Sequence, residues 1–306
     1  MVFCPRTVVQ VFNNGDKKLK TIHQVYHHIK EQFRKASIPD PQIDAAILCQ
    51  FVLGLTRSDL IIHSTKPVRV KDLDHLYMLA EQRLNRIPLA YIIGEQDFYG
   101  RRFLVNPSVL IPRPETELLV EKAVVLGQEL IDSKRTLTIM DLGTGSGVIA
   151  ITLAKALKSA KIFALDSSFA ALETARRNAV MHEALGQVEF IASDWLGAFA
   201  PKGEFEIIVS NPPYVAEKIK QDLQEELSFE PVGALFAGVD GTDAIKHIIN
   251  DACQYLAPGG LLLAEIGYDQ KNFVIEFVGH TGCFSDVSVC DDYAGLPRIL
   301  QARLKG

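Results

Sequence analysis

The sequence has no C-x-x-C pair, no long apolar run and no pattern typical of an export leader. Its apolar runs stay well short of the roughly 20 residues that a membrane-spanning helix needs. The first 20 residues hold one arginine, no serine and only a short apolar stretch, VVQVF, so neither a secretory signal nor a transit peptide is indicated. The five cysteines are Cys4, Cys49, Cys253, Cys283 and Cys290. They are scattered along the sequence, which excludes a disulfide framework and a paired-cysteine zinc site. We therefore expect a cytoplasmic protein with no membrane anchor and no metal.

Charge of one sign does not dominate the whole chain, but it divides along the sequence. Residues 1–110 carry 15 Lys and Arg against 10 Asp and Glu, a net charge of +5, whereas residues 111–306 carry 17 against 27, a net charge of −10. The acidic larger part disfavours a nucleic-acid-binding face, which is usually basic. The basic part could steer an acidic macromolecule, or both parts could be ordinary solvated surfaces.

The length of 306 residues, with 48% hydrophobic and 23% charged residues, is typical of a globular chain of two domains. Residues 21–86 are predicted to be helical, because their apolar residues recur at helical spacing and because Pro39, Pro41 and Gly54 separate the helices. His23 and His27 lie one helical turn apart, as zinc ligands can. No third ligand accompanies them, so we interpret them as structural or surface histidines.

After residue 86 the composition becomes strand-prone, with short stretches of β-forming residues separated by turn residues. Tyr91–Ile93 and Phe103–Val105, with Gly94 and Gly100 near the turn, predict a hairpin within a linker of residues 87–113. A helix is predicted to begin at Pro114, and from residue 137 to 306 apolar strand-like runs alternate with helical stretches. This alternation predicts a parallel sheet with helices on both faces.

A glycine-rich segment, DLGTGSG at residues 141–147, follows the first of these strands and begins a helix. Glycines at such a turn let a ligand lie against backbone N–H groups at a helix start. The spacing G-x-G-x-G after an acid is typical of S-adenosylmethionine sites, although another nucleotide or a purely structural turn would also fit. The candidate cofactor residues of this loop are Gly143, Thr144, Gly145, Ser146 and Gly147.

Acidic residues follow the next two strands. Asp166 ends the second strand, where a carboxylate accepts hydrogen bonds from ribose hydroxyls; alternatively it begins the following helix. Asp194 and Trp195 follow the third strand and could bind adenine, through its exocyclic amine and through its ring. A tryptophan is also common in a protein core.

The segment Asn211-Pro212-Pro213-Tyr214 follows the fourth strand and is typical of enzymes that methylate a planar amino or amide nitrogen. The lone pair of such a nitrogen is delocalised, so the nitrogen is a poor nucleophile. The side-chain oxygen of Asn211 and the backbone carbonyl of Pro212 can each accept one of its N–H groups, Tyr214 can stack on the planar group, and the prolines stiffen the loop. We therefore predict Asn211, Pro212 and Tyr214 as catalytic residues, although the segment could also be a simple turn.

Taken together, these segments resemble the glutamine methyltransferases that modify peptide chain release factors. The likeness runs from about Thr21 to Leu304 and combines the helical first domain with six segments, at residues 111–117 (IPRPETE), 141–147, 193–195, 211–214, 229–231 (FEP) and 265–268 (EIGY).

The resemblance implies an α/β class I S-adenosylmethionine-dependent methyltransferase, with a Rossmann-like seven-stranded sheet and a small N-terminal helical bundle. It implies S-adenosylmethionine as the cofactor, bound by Gly143–Gly147, Asp166, Trp195 and Asn211. The implied substrate is the Gly-Gly-Gln glutamine of release factors, methylated at N5 of its side chain and held by Asn211–Tyr214. Phe98 would line the substrate pocket.

The predicted domains are a leader (1–20), a helical substrate-recognition domain (21–86), the hairpin linker (87–113) and the catalytic domain (114–306). A basic first domain could orient an acidic release factor, which suggests charge reversal at Arg83 and Arg86 as a test. Two other functions stay open: an amino-methyltransferase acting on adenine or guanine in nucleic acid, and a non-catalytic module that binds release factors.

Overall fold

The computed structural model describes residues 20–133 and 137–306. The predicted leader, apart from Lys20, lies outside the described residues. The chain divides into two compact units, of which one ends at Gly94 and the other spans Glu95–Gly306. Among the described residues, no helix combines the length and the apolar composition that crossing a bilayer would require.

The smaller unit is helical, as its apolar spacing predicts. The first helix begins at a capping box, in which Thr21 and Gln24 satisfy each other's backbone N–H groups, and it buries one apolar face. The second helix ends at Gly54, whose left-handed conformation (φ +64°) closes the last turn. The short third helix was not predicted. The helices of this unit are α1 (Ile22–Lys35), α2 (Pro41–Leu53), α3 (Arg57–Ile62), α4 (Val70–Leu84) and α5 (Leu89–Ile93).

Arg83 and Arg86 contribute to the stability of this unit. The Arg83 side chain is 6% exposed, and its Nε lies 2.7 Å from Oδ2 of Asp44. Arg86 donates hydrogen bonds to the carbonyl oxygens of Ala36 and Ser37, at 2.8 and 3.2 Å. The two arginines are therefore the wrong places to test steering by charge reversal. Such a change would break the ion pair of Arg83 with α2, or the hydrogen bonds of Arg86 to the residues that follow α1.

The predicted hairpin exists, but its strands are shifted along the chain. Tyr91–Ile93 belongs to helix α5, because Pro88 sets the helix start and Gly94 (φ +82°) ends it. The strands that pair are β1 (Glu95–Phe98) and β2 (Arg101–Leu104), joined by Tyr99 and Gly100. Both connecting residues have positive φ, as a tight two-residue turn requires.

The centre of the larger unit is a seven-stranded sheet in the order β5-β4-β3-β6-β7-β9-β8. Its first five strands are parallel, as predicted, whereas β9 runs antiparallel between β7 and β8, so the sheet is mixed. The strands are β3 (Thr138–Leu142), β4 (Lys161–Asp166), β5 (Val188–Ala192), β6 (Phe205–Ser210), β7 (Leu256–Glu265), β8 (Phe284–Asp291) and β9 (Pro297–Leu304).

Helices cover both faces of this sheet, and each face has its own apolar layer. Buried residues of α6, α7 and α8 form one layer, and those of α10 and α11 form the other. The helices are α6 (Glu115–Asp132), α7 (Val148–Ala156), α8 (Phe169–Met181), α9 (Val232–Leu235), α10 (Asp243–Tyr255) and α11 (Lys271–Thr281). The carboxyl ends of β3 to β6 meet at one edge of the sheet, where ligands bind in such folds.

Candidate active site

A pocket of about 380 Å³ lies at this edge, within the size range of small-molecule sites. Most of the predicted cofactor residues line it: Gly143, Thr144, Gly145, Ser146, Asp166, Asp194, Trp195 and Asn211. Pro213, one of the predicted substrate residues, lines it as well. The sequence thus identified one connected site from segments about 70 residues apart.

The glycine loop presents backbone rather than side chains to the pocket. Gly143 has φ +71°, and a Cβ built on it would meet no atom within 4 Å, so that this position opens into free space. Gly147, in contrast, is not among the residues that line the pocket. A Cβ there would lie 2.9 Å from Cδ1 of Ile151, so its role is close packing at the start of α7.

Asp141 supports the glycine loop from inside the sheet. Its Oδ2 accepts hydrogen bonds from the Thr144 hydroxyl at 2.7 Å and from the Ala150 N–H at 3.2 Å. Its Oδ1 is buried and has no hydrogen-bond partner among the described residues. Burial is the main reason why the pKa of Asp141 rises to about 7; the two hydrogen bonds oppose the rise, and the nearby Asp166 adds to it.

Asp166 connects the loop to the next helix. Its two carboxylate oxygens accept hydrogen bonds from the N–H groups of Gly145, at 2.9 Å, and of Ser168, at 2.8 Å. The side chain that caps α8 is that of Ser168, so that Asp166 is not the capping residue of this helix. Each oxygen of Asp166 keeps a second lone pair, which leaves it able to accept a hydrogen bond from a ligand.

Trp195 lines the pocket next to the exposed Asp194, and it has a positive φ of +46°. A bulky residue rarely adopts this conformation, which commonly marks a functional position. Its ring centroid lies 5.9 Å from that of His247. Trp195 therefore lies at the edge of the core, with part of its surface towards the pocket.

Asn211 lies where β6 ends, and two buried residues hold its side chain. Asn211 Nδ2 donates a hydrogen bond to Thr116 Oγ1 at 2.9 Å, and Thr116 Oγ1 donates to Glu265 Oε2 at 2.7 Å. The other oxygen of Glu265 accepts from the Tyr214 hydroxyl at 3.1 Å. Asn211 Oδ1 accepts no hydrogen bond from a described residue, and Asn211 is one of the residues that line the pocket.

Electrostatics in this group follow from burial. The pKa of Glu265 is raised above its ordinary value, mainly by burial; the hydrogen bonds from Thr116 and Tyr214 and the positive charge of Arg298 oppose the rise. Burial and the neighbouring Glu265 raise the pKa of Tyr214 above its ordinary value. The Tyr214 hydroxyl thus stays protonated and is no proton acceptor.

Tyr214 and Pro212 do not line the pocket, in contrast to Pro213. The Tyr214 backbone is fixed instead: Gln270 donates a hydrogen bond to its carbonyl oxygen at 3.2 Å. Gly241 also lies so close that a Cβ there would be 2.4 Å from the same oxygen. The structure therefore places Tyr214 as a support of the loop, and its predicted stacking on the substrate stays a prediction.

Phe98 lies in the apolar core, and its predicted contact with the substrate stays a prediction. Its side chain is 1% exposed and packs edge-on against Phe103, with ring centroids 6.1 Å apart. It belongs to the apolar layer of α6 and α7 and does not line the pocket. Phe98 is the one buried residue of strand β1, so that its side chain is part of the core.

Several pocket residues carried no predicted role. Arg113 lines the pocket and forms an ion pair with the buried Glu230, which also accepts a hydrogen bond from the Ile111 N–H at 3.0 Å. Glu230 precedes Pro231, another lining residue, so one carboxylate joins two walls of the pocket. The segments IPRPETE and FEP contain these residues and Thr116, and EIGY contains Glu265; those segments were the available signal.

Comparison with known proteins agrees with this geometry. Residues 24–94 match the family model of the PrmC N-terminal domain, and residues 117–271 match that of the methyltransferase small domain. The release factor glutamine methyltransferase of Burkholderia pseudomallei (strain K96243) is 40% identical over 88% of this chain and 94% of its own length. That of Neisseria gonorrhoeae (strain ATCC 700825 / FA 1090) is 42% identical over 85% and 92%. The chain belongs to the release factor glutamine methyltransferase family.

Solved structures support the fold of this family member. A crystal structure of a methyltransferase from Pyrococcus furiosus covers 74% of the chain and 99% of its own length, with a TM-score of 0.50 and 18% identity. At that identity the likeness shows the fold alone. The predicted class I methyltransferase fold with an N-terminal helical domain is thereby confirmed.

Proposed function

We propose that this chain transfers the methyl group of S-adenosylmethionine to N5 of a glutamine in a peptide chain release factor, and that this glutamine lies in the Gly-Gly-Gln loop. The observation that carries the proposal is that Asn211 lines the same pocket as the glycine loop and Asp166. An acceptor for an amide and a cofactor cradle thus lie within one cavity. The names of the family's curated members support a release factor as the substrate.

The pocket residues fit S-adenosylmethionine, which supplies a methyl group on a positively charged sulfur. Gly143 and Gly145 line the pocket, and a Cβ built on Gly143 would fill open space there, so that the absence of a side chain leaves room for a ligand. Asp166 would accept hydrogen bonds from the ribose hydroxyls. Asp194 and Trp195 would contact the adenine.

Asn211 would hold the glutamine amide for attack. With its own nitrogen held by Thr116, the Asn211 side chain offers Oδ1 as an acceptor for one substrate N–H. No described hydrogen bond uses the Pro212 carbonyl, which would accept the other N–H. Two such acceptors orient the nitrogen and increase its electron density in the transition state. The proton can leave after methyl transfer, so that no strong base is needed.

The same proposal assigns release-factor recognition to the helical unit, α1 to α5, and places the enzyme in the cytoplasm. The cytoplasmic location is supported by the cysteines of the described residues, at positions 49, 253, 283 and 290, which form no disulfide. Free thiols are usual in a reducing compartment.

The test is mass spectrometry of a release factor incubated with this protein and S-adenosylmethionine. A single added methyl on the glutamine of the Gly-Gly-Gln peptide is the expected product. Asn211→Ala should lower the rate by roughly 10²–10³-fold while cofactor binding persists, because one pre-organised acceptor is lost. Asn272→Ala, at an exposed position of α11, is the matched control and should keep the wild-type rate.

Two results would contradict the proposal. Methyl transfer to adenine or guanine of nucleic acid, with none to the release factor, would favour the nucleic-acid methyltransferase. Binding of the release factor with neither cofactor binding nor methyl transfer would favour the non-catalytic module.

A further inference from the structure

We propose that Thr116 and Glu265 are positioning residues for methyl transfer, which fix the side-chain amide of Asn211 with its nitrogen held and its oxygen towards the pocket. This inference rests on the proposed function, because it concerns how the acceptor for the substrate amide is oriented. The observation that carries it is the continuous hydrogen-bond chain from Asn211 through Thr116 to Glu265.

The direction of each hydrogen bond in this chain follows from the groups involved. The Thr116 hydroxyl gives its single hydrogen to Glu265 Oε2, at 2.7 Å. The lone pairs of the Thr116 oxygen then remain to accept a hydrogen, and the NH₂ end of Asn211 is the group that supplies one. The oxygen of Asn211 is thereby left for the pocket.

Without such a chain, the two ends of an asparagine side chain are nearly interchangeable in shape. A half-turn of the Asn211 amide would present an NH₂ group to the NH₂ group of the substrate, and neither could accept. The hydrogen bond from Thr116 to Glu265 removes this ambiguity. It leaves only lone pairs on Thr116 Oγ1, so that a flipped amide would place Asn211 Oδ1, a second acceptor, against that oxygen. Loss of an accepting oxygen at this position would reduce the rate of the chemical step.

The fold holds both positioning residues rigidly. Thr116 is 2% exposed in the first turn of α6, and Glu265 is fully buried at the end of β7. Ser210 of β6 pairs with Ala264 of β7. Asn211 and Glu265, which directly follow these two residues in the sequence, are therefore brought close together. Water has no access to replace either partner, which makes a missing hydrogen bond costly.

Glu265 also anchors the other end of the same loop. The Tyr214 hydroxyl donates to Glu265 Oε1 at 3.1 Å, while the Thr116 hydroxyl occupies Oε2. One carboxylate thus holds both Asn211, through Thr116, and Tyr214. A positioning role for Glu265 therefore accounts for the protonated, buried hydroxyl of Tyr214 as well.

The decisive variants are Thr116→Val, which keeps the shape and removes the hydroxyl, and Thr116→Ser, which restores the hydroxyl. We expect Thr116→Val to lower kcat on a release factor by about 10–100-fold, with KM and the Kd of S-adenosylmethionine changed less than about threefold. Thr116→Ser should recover kcat to within about threefold of wild type. Thr152→Val is the matched control: Thr152 is 1% exposed in α7, and its hydroxyl has no partner among the described residues. It should not change kcat.

A double-mutant cycle separates positioning from a merely structural role. If Thr116 acts through Asn211, adding Thr116→Val to Asn211→Ala should lower kcat by less than about twofold further. The inference would be overturned if the double variant lost kcat by the product of the two single-variant decreases, or if Thr116→Val kept the wild-type kcat.

A second measurement does not depend on activity. In protein labelled with ¹⁵N at asparagine, the side-chain amide signal of Asn211, identified by its loss in Asn211→Ala, should exchange slowly with water in wild type and in Thr116→Ser. It should exchange fast in Thr116→Val. Equal exchange in all three would overturn the inference. A wild-type enzyme that methylates no release factor would instead refute the proposed function, and the exchange result would still decide whether Thr116 holds Asn211.

Discussion

Gly147 packs directly against Ala175: a Cβ built on Gly147 would lie 3.1 Å from the Cβ of Ala175 and 3.3 Å from its Cα. This approach brings the start of α7 against the middle of α8. The glycines of one short loop therefore have different tasks, because Gly143 faces the pocket whereas Gly147 allows two helices to meet.

We expect Gly147→Ala to destabilise the larger unit more than Gly143→Ala does. Both substitutions force a side chain into the left-handed region, at about 1–2 kcal/mol each, but only Gly147→Ala adds overpacking of about 1–3 kcal/mol. Urea unfolding followed by tryptophan fluorescence measures the difference, because the single tryptophan, Trp195, lies in this unit. Equal losses for the two variants would show that the contact with Ala175 relaxes without cost.

In the helical unit, removal of Arg83 should be far more damaging than removal of an exposed arginine. Arg83→Ala removes the cation of a nearly buried ion pair, that with Asp44, and such a loss typically costs about 3–5 kcal/mol. Arg69→Ala breaks an exposed pair with Asp72, worth about 0–1 kcal/mol.

Amide hydrogen exchange in α2 and α4, measured in the full chain, reports the stability of the helical unit separately from that of the larger unit. It therefore compares the loss of stability in Arg83→Ala with that in Arg69→Ala. Faster exchange in both variants to the same extent would argue against the ion pair as its cause. Charge-reversal tests of release-factor steering belong instead at exposed cations of this unit, such as Arg57 and Lys66.

Asp141 should make the stability of the larger unit depend on pH. Its pKa is about 7 in the folded protein against an ordinary value of 3.8, so that the folded state binds more protons between these values. The contribution of Asp141 to stability therefore falls as pH rises from about 4 to 7, by up to roughly 4 kcal/mol at about 1.4 kcal/mol per pKa unit.

Asp141→Asn removes this titration. The unfolding free energy of the variant, relative to wild type, should increase from about pH 5 to about pH 7.5. Tryptophan fluorescence at both pH values gives the comparison. A difference that does not change with pH would mean that Asp141 is ionised throughout.

Asp166→Ala should weaken S-adenosylmethionine binding by about 1.5–3 kcal/mol, because a charged acceptor for the ribose hydroxyls is lost. Asp166 also holds the N–H groups of Gly145 and Ser168, so the loop loses an anchor in the same variant. Calorimetric titration measures the Kd. Glu189→Ala, which removes an exposed carboxylate on the neighbouring strand β5, should leave it unchanged. An unaltered Kd in Asp166→Ala would refute the ribose contact.

The strands and the pocket could be predicted from the sequence because their signals are local. Strand β4 begins and ends where its apolar run does, and the residues after β3, β4, β5 and β6 meet at one edge by the geometry of a parallel sheet. The hairpin was misplaced because the residues Tyr91–Ile93 favour a strand by type, while Pro88 and Gly94 impose one helical turn.

The roles of Thr116 and Glu265 could not be predicted in the same way. Thr116 precedes Asn211 by 95 residues, and its contact depends on where α6 begins relative to the sheet. Glu265 meets Asn211 only through the pairing of β6 with β7. The burial of Phe98 could not be predicted for a related reason, since the packing of β1 decides which of its side chains faces the core.

Asn211 Oδ1 accepts no hydrogen bond from a described residue, and this has a consequence for a substrate whose glutamine has been damaged. A glutamine amide brings hydrogens to that oxygen, but a glutamate carboxylate brings only lone pairs and negative charge. If Asn211 holds the substrate glutamine as proposed, a release factor whose glutamine has been hydrolysed to glutamate would meet repulsion at that oxygen. The orientation of a single side chain would then select between an amide and its own damage product.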